Sequence, residues 1–396
     1  MVPLLEAQIC DVWGVPLAGG TIYHTSDGGG LEVIDPLNDS RTARLTVPID
    51  DRCARPSIAR PLDRLLSVTY GTHLLFKGPI LQVSSDFGAG TVTISAHDPT
   101  IKLKHHYHDY GDLAVDGGYT VDGNGLRILV ESSLLTSDED PMGDRPPNGI
   151  LWGYNNTTPW PDSKRKVAAG TNVWESLLNM QQVMGGPDFR FRPVDEQPPG
   201  VYPATLAIHS YGFMVELDTN DKLGDDKSGE VIYEYGLGAD NAETIVHEPD
   251  GDVVRNRFTY VYPGGKRSRS DDRVGTARNN ASINDYGLMQ GYESSGQKGD
   301  SQALLQAKAR SMVKAYARSP DFFTVVPRID DGDTVPRYPR DIVCGDSIRA
   351  RARRGERDFD SVGRIIRIQI NSIDQAGNAR TTLECVPDLD VLIEDE

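Results

Sequence analysis

Imidazoles cluster at one place in the chain, His105-His106-Tyr107-His108-Asp109. Neutral imidazole nitrogens bind zinc or nickel, but adjacent residues of one short loop need a further ligand from elsewhere to enclose an ion. No C-x-x-C motif or neighbouring cysteine supplies one, so this loop reads as a polar linker. A second stretch, Asp218-Thr219-Asn220-Asp221-Lys222-Leu223-Gly224-Asp225-Asp226, is spaced like a calcium loop. Calcium takes oxygen ligands and closes its loop with a bidentate glutamate. Lys222 and Gly229 stand at those positions, which leaves a turn between strands. Gly264-Gly265-Lys266-Arg267-Ser268 fails as a phosphate loop, since Tyr260 replaces the first glycine and Arg267 the hydroxyl residue. Neither a G-x-S-x-G elbow nor an H-E-x-x-H helix occurs. No catalytic, cofactor-binding or metal-ligating residue is assigned, and no cofactor is expected.

Two features suit recognition rather than catalysis. Arg349, Arg351, Arg353, Arg354 and Arg357 form a basic run. The period of two over the first three sets their guanidinium groups on one face of a strand. That face is either exposed to solvent or docks on acidic residues of a neighbouring subunit. Trp152, Tyr154 and Trp160 line a carbohydrate cleft or pack a long loop.

Charge constrains the partners. The 396 residues include 58 acidic and 41 basic ones, a formal charge of −17. Binding to nucleic acid needs cations set against phosphates, so no sequence-specific nucleic-acid binding is expected. The charge serves solubility, or it forms a surface that nucleic acid passes without sticking. No apolar run approaches the ~18–20 residues of a membrane span, so no integral membrane segment is expected. Met1-Val2-Pro3-Leu4-Leu5-Glu6 has neither a basic nor an apolar leader region, and synthesis in the cytoplasm follows. Cys10, Cys53, Cys344 and Cys385 read as small buried strand residues, with pairing inside each terminal module the less favoured reading.

The elements that carry these residues repeat from one end of the chain to the other. Gly78-Pro79-Ile80-Leu81-Gln82-Val83-Ser84-Ser85-Asp86 leads through Phe87-Gly88-Ala89-Gly90 into Thr91-Val92-Thr93-Ile94-Ser95-Ala96-His97-Asp98-Pro99. Gly363-Arg364-Ile365-Ile366-Arg367-Ile368-Gln369-Ile370 leads through Asn371–Asn378 into Ala379–Asp388. Each copy is glycine, alternating strand, turn, alternating strand and proline stop, and each follows a polar strand, Leu66–Tyr70 or Ile348–Arg353. With 40 glycines and 25 prolines, the fold class is α+β and β-rich. Two small antiparallel β-barrels, 1–104 and 326–396, flank two α+β domains, 105–235 and 236–325. Closure is expected because it removes sticky strand edges.

Within this frame, Leu5–Cys10 and Arg41–Ile49 are strands, the latter with Ala43, Leu45, Val47 and Ile49 on one face. Thr21–His24 is extended after the Gly19-Gly20 turn, and Asp27–Gly30 is a flexible turn. Asn124 caps a helix through Leu134, and Thr136–Gly149 is an acidic loop. Asn172 caps a helix carrying Trp174, Leu177, Leu178 and Gln181. Phe189–Arg192, Thr205–His209, Arg255–Tyr262 and Phe322–Val326 are strands, and Ala281–Gly296 is a loop with short extended pieces. Asp300 or Ser301 caps a helix, Gln302–Arg318, with Leu304, Lys308, Met312 and Ala315 along one face.

Taken in order, several of these pieces resemble the tail hub family of tailed bacteriophages. They are Phe76–Ile80 with Val92–Pro99, Thr171–Leu178, Phe189–Phe191, Asn256–Tyr260, Ile283–Gly287, Asp300–Arg318, and Cys344–Ile348 with the final hairpin. The family comprises baseplate hubs of contractile tails and tail-associated minor tail proteins of long non-contractile tails, and the chain looks closest to the actinobacterial phage type. The resemblance implies a virion protein of the tail tip, a homotrimer whose two tube-like domains per chain give a pseudo-sixfold ring around a channel for DNA. Its implied partners are a distal tail protein or tail tube above, the tape measure protein in the lumen, and tip or fibre proteins below. The chain stops at Val391–Glu396, just past the second module, so the family's further peptidase or fibre regions are expected on other proteins. A structural role without enzymatic activity is the expected function. The alternative is a tail-associated hydrolase or carbohydrate-binding protein acting on the host envelope.

Overall fold

The computed structural model describes residues 4–11, 14–17, 30–105, 107, 119–121, 150–152, 165–167, 172–181, 188–194, 214–220, 222–249, 251–262, 273–294, 302–317, 321–329, 335–373 and 378–387. The strands expected at Thr21–His24 and Thr205–His209, the helix after Asn124, the 136–149 loop and Gly264–Ser268 lie outside these residues.

The first repeat is built from β1 (Leu5–Cys10), β2 (Leu31–Pro36), β3 (Thr42–Pro48), β4 (Leu65–Tyr70), β5 (His73–Asp86) and β6 (Thr91–His97). Alternation decides which face is buried. Ala43, Leu45 and Val47 of β3 and Val92, Ile94 and Ala96 of β6 turn inward, and the residues between them turn outward. Three short strands, β7 (Tyr119–Val121), β8 (Ile150–Trp152) and β9 (Arg165–Val167), precede helix α1 (Val173–Gln181), β10 (Asp188–Val194) and β11 (Met214–Asn220). The helix is capped as its spacing demands, with Asn172 Oδ1 accepting from the Glu175 amide at 3.2 Å. Its Trp174 packs against Phe189 and Phe191 of β10 with ring centroids 5.8 and 6.3 Å away.

The next strands are β12 (Ile232–Tyr235), β13 (Ala242–Pro249), β14 (Arg257–Tyr262) and β15 (Arg273–Arg278). Helix α2 (Asn280–Tyr286), β16 (Gln290–Ser294) and helix α3 (Gln302–Tyr316) follow, and then β17 (Asp321–Pro327), β18 (Ser347–Arg354), β19 (Arg357–Ser372) and β20 (Ala379–Pro387). Helix α2 corrects the expected loop over Ala281–Gly296. The Asn279 side chain accepts from the Ser282 amide at 3.0 Å, and Gly287, at φ +77°, ends the helix. The buried stripe of α3 holds Leu305, Ala309 and Val313 together with the expected Lys308, and Ala317 continues it just past the helix. Spacing of four residues marks it, with Met312 packed at its margin. Gly275 of β15 lets this helix approach, since a Cβ there would lie 2.1 Å from the Leu305 backbone.

One 12-stranded sheet unites the two ends of the chain. Its first half runs β1-β4-β5-β6-β3-β2 and its second half β12-β18-β19-β20-β17-β13. Numbered within each half, both orders are first, fourth, fifth, sixth, third, second. The hairpins match in finer detail too. β5 pairs with β4 through Pro79 and with β6 from Ile80 on. β19 pairs with β18 through Arg364 and with β20 from Gly363 on. Each ladder slips by one residue just past its glycine, between Ile80 and Gln82 and between Ile365 and Arg367. Such a bulge bends the strand. The repeats differ at one edge, where β1 meets β4 antiparallel and β12 meets β18 parallel.

The expected closed barrels are not formed. Among the described residues neither half pairs its first and last strands, so the sheet stays open. The edge that closure was to protect is covered in another way. β2 pairs antiparallel with β19, Glu32 opposite Asn371 through Pro36 opposite Arg367. The second repeat therefore caps the first, and a shared core runs beneath both, from Leu5, Val68, Phe76 and Ile80 to Phe323, Ile365 and Leu383.

Candidate functional site: the junction between the two repeats

The described residues hold no group of three His, Cys, Asp or Glu side chains placed to bind a metal. His105 ends a 3-10 turn, Pro99–His105, and Tyr107 bridges Asn172. His106, His108 and Asp109 lie outside the described residues, as do Tyr154 and Trp160. Trp152 ends β8. The calcium-like stretch is split between β11 and the turn after it, where Gly224, at φ +90°, packs directly on Gly345. A cleft between the repeats, lined by Tyr70, Pro327, Arg328, Arg337, Tyr338 and Ala379, has a volume of about 30 Å³. That is room for water, not for a sugar ring.

Buried charge collects instead where the two repeats meet. Asp35 of β2 and Arg41, just before β3, form an ion pair at 2.7 Å, with side chains only 2% and 7% exposed. Tyr338 of the second repeat donates its hydroxyl to Asp35 Oδ2 at 2.7 Å. Cys344 donates its thiol to the Asp35 carbonyl at 2.8 Å. Burial pushes the Tyr338 hydroxyl and the Cys344 thiol well up, so both stay protonated donors. Arg41 also donates from its guanidinium to the Leu75 carbonyl at 2.9 Å and from its amide to Asp98 at 2.7 Å. Removing one partner of such a pair leaves an uncompensated buried charge, at a cost of about 3–5 kcal/mol.

A second node ties in the segment between the repeats. Asp188 of β10 accepts from Asn38 Nδ2 at 2.9 Å, from the Leu223 amide at 3.1 Å and from the Arg364 guanidinium. Asn38 sits at φ +61° in the β2–β3 turn, donates its amide to the Phe189 carbonyl at 3.0 Å and accepts the Phe189 amide at 2.7 Å. Arg190 donates to the Cys344 carbonyl at 2.9 Å. A third node holds the turn before β18. Asp346, fully buried, accepts from Lys227 Nζ at 2.8 Å and from the Asp225 and Val343 amides, each at 2.9 Å. Sequence reasoning gave no role to the three carboxylates at the centres of these nodes. Asp35, Asp188 and Asp346 lie in or beside apolar strands, and that is the one signal they give.

The arginine strand lies on the face of β18 opposite the buried Ile348 and Ala350. Carboxylates of this chain lie against it. Arg349 contacts Asp360 at 2.6 Å, Arg353 contacts Asp358 at 2.7 Å, and Arg351 lies 3.6 Å from Glu234 and 3.4 Å from Asp360. The register explains this, because Arg351 and Arg353 stand directly opposite Asp360 and Asp358 on β19. All four cysteines are free and buried.

No protein-family model matches the chain, and a search of curated proteins found no match. Solved structures do. A tail protein from Neisseria meningitidis MC58 superposes with a TM-score of 0.57 at 12% identity, over 97% of this chain and 97% of that one. The 43 kDa tail protein of prophage MuSo2 from Shewanella oneidensis gives 0.58 at 12% identity, over 97% and 99%. The chain shares the fold of these two tail proteins. The match covers nearly the whole of each chain. Among the described residues no helix of this tail-protein fold is long and apolar enough to cross a membrane.

Proposed function

We propose that the chain is a structural ring subunit at the tip of a phage tail. The observation that carries this reading is the doubled ladder. One chain holds two copies of the same six-strand order, joined edge to edge through β2 and β19. A sixfold tube end can be met by a trimer when each chain supplies two equivalent parts. Three copies then give six ladders around a channel through which DNA leaves. The tail tube or a distal tail protein sits above, the tape measure protein in the lumen, and tip or fibre proteins below. The likeness to the Neisseria and Shewanella tail proteins supports a tail role without singling out the actinobacterial type.

In this reading the chain performs no catalysis, and its polar groups serve assembly. The buried nodes at Asp35, Asp188 and Asp346 hold the repeats and the intervening segment at fixed angles, as a ring subunit requires. Imaging of the intact particle tests the role. Three copies at the tail tip are expected, and six copies, one copy, or a location away from the tip would overturn it. Incubating the purified chain with host cell wall tests the absence of catalysis. Release of reducing sugar or peptide, abolished by one Asp or Glu substitution, would overturn that part.

A further inference from the structure

The β2–β19 ladder joins an edge strand of one repeat to the long strand of the other, and the same two parts recur as β13 and the far half of β5. Aligning the repeats on their bulges makes Gln82–Asp86 equivalent to Arg367–Asn371. Following the register through β6 and β20, then β3 and β17, makes Ile245, Val246 and Glu248 equivalent to Leu31, Glu32 and Ile34. Within the chain, β2 covers Arg367–Asn371. The equivalent stretch of β5 has β6 on one side and no described strand on the other, and Ser84, Ser85 and Asp86 are exposed. β13 likewise has β17 on one side and no described strand on the other. Beside the charges of Asp86 and Glu248, these open edges present exposed apolar side chains that an unpartnered edge does not require. Phe87, just past β5, is 84% exposed, and Val246 is 40% exposed.

We propose that β13 of one copy pairs antiparallel with β5 of the next, repeating between copies the contact that β2 and β19 make within one. This rests on the ring reading above and supplies its contact. The register follows from the equivalence. Val246 stands opposite Asp86, Glu248 opposite Ser84, and Ile245 opposite Phe87. The Ile245–Phe87 pair is an apolar cross-strand contact, of the kind that stabilises a ladder. Pro249 ends the pairing because it has no amide hydrogen. The contact is head-to-tail, so it builds a ring when its rotation closes. Each step between copies equals the step inside a copy, which is how three chains make six equivalent positions.

The test uses the full chain with Ser84→Cys and Glu248→Cys together, under a mild oxidant. The four native cysteines are buried and free, so they add little background. Covalent links between chains are expected for this pair. They are expected to be absent with either substitution alone, and absent when Ser84→Cys is combined with Glu243→Cys, roughly 16 Å further along the strand. In parallel, Phe87→Ser, at an exposed site that leaves the fold intact, is expected to weaken assembly about fivefold per contact, read by light scattering across concentration. Trimers without the in-register link, equal linking in the displaced pair, or a chain that stays monomeric and unlinked would each overturn the strand pairing. The ring reading falls separately, on the copy number and position in the particle.

Discussion

Gly78→Ala and Gly363→Ala alter the same point of the two repeats and are expected to differ in cost. Both glycines sit two residues before the position at which the long strand bulges against its second partner, Ile80 or Ile365. A Cβ at Gly78 would lie 2.0 Å from the His97 carbonyl oxygen and 2.9 Å from the Asp98 Cα. Those are backbone atoms at the end of β6, tied down by the Asp98 contacts to Arg41 and Thr100. A Cβ at Gly363 would lie 2.4 Å from the rim of the Phe323 ring and 3.1 Å from the Cys385 Cβ. A ring can turn and a backbone carbonyl cannot. Overpacking costs about 1–3 kcal/mol where neighbours can adjust, and more where they cannot. We therefore expect about 1–2 kcal/mol for Gly363→Ala and about 3 kcal/mol or more for Gly78→Ala. Urea denaturation followed by far-ultraviolet circular dichroism, with the two variants compared by midpoint at equal slope, measures the difference. Equal losses, or a larger loss at Gly363, would refute the reasoning from contact geometry.

Burial raises the Asp98 carboxyl to about 6, against the hydrogen bonds from Thr100 and Arg41 that favour its charge. The folded chain thus binds a proton between pH ~4 and ~6 that the unfolded chain releases. This contribution is fully present below about pH 4, is lost as pH rises through 6, and amounts to about 3 kcal/mol. The stability gap between the natural chain and Asp98→Asn should therefore vary across that window, and a gap that stays flat contradicts it. For Arg349→Ala, with the Asp360 pair exposed on both sides, the expected loss is under about 1 kcal/mol and shrinks with added salt. A loss of several kcal/mol in thermal melts would mean that the arginine face is buried by something else. Burial pushes the Cys53 thiol up to about 12, and its hydrogen bond to Asp51 adds to the shift. Maleimide labelling read by mass spectrometry is expected to be near zero for the folded chain at neutral pH and complete in denaturant, and prompt labelling of Cys53 in the folded chain would count against its burial.

The hairpins were legible because they are local. Outside their bulges the strands alternate, burying Val92, Ile94 and Ala96 in one hairpin and Ile368, Ile370 and Leu383 in the other, and glycine and proline mark their ends. The cap at Asn172 and the strand around Phe189 were legible for the same reason. Helix α2 was missed because its seven residues are mostly polar, and only Asn279 and Gly287 announce it. On α3 the buried Lys308 was legible, while Leu305, Ala309 and Val313 were not named because the face was read one residue too narrowly. What sequence could not supply is the joining of the ends. β2 and β19 are more than three hundred residues apart, and neither carries a mark naming the other. The Asp35, Asp188 and Asp346 nodes were hidden for that reason too, since each acquires its meaning from partners in distant segments.

The length of β19 has a mechanical consequence. Its sixteen residues meet β18, β20 and β2 in turn, so the two repeats share one strand as a common spar. Swinging one repeat against the other would require peeling β2 off that spar, with the hydrogen bonds from Tyr338 and Cys344 to Asp35 torn open behind it. A load applied to either repeat is carried across as tension in a plate, with no break among the described strands of the β2–β19 junction to absorb it. In the proposed ring, any widening of the channel would come at the contacts between chains rather than within this plate.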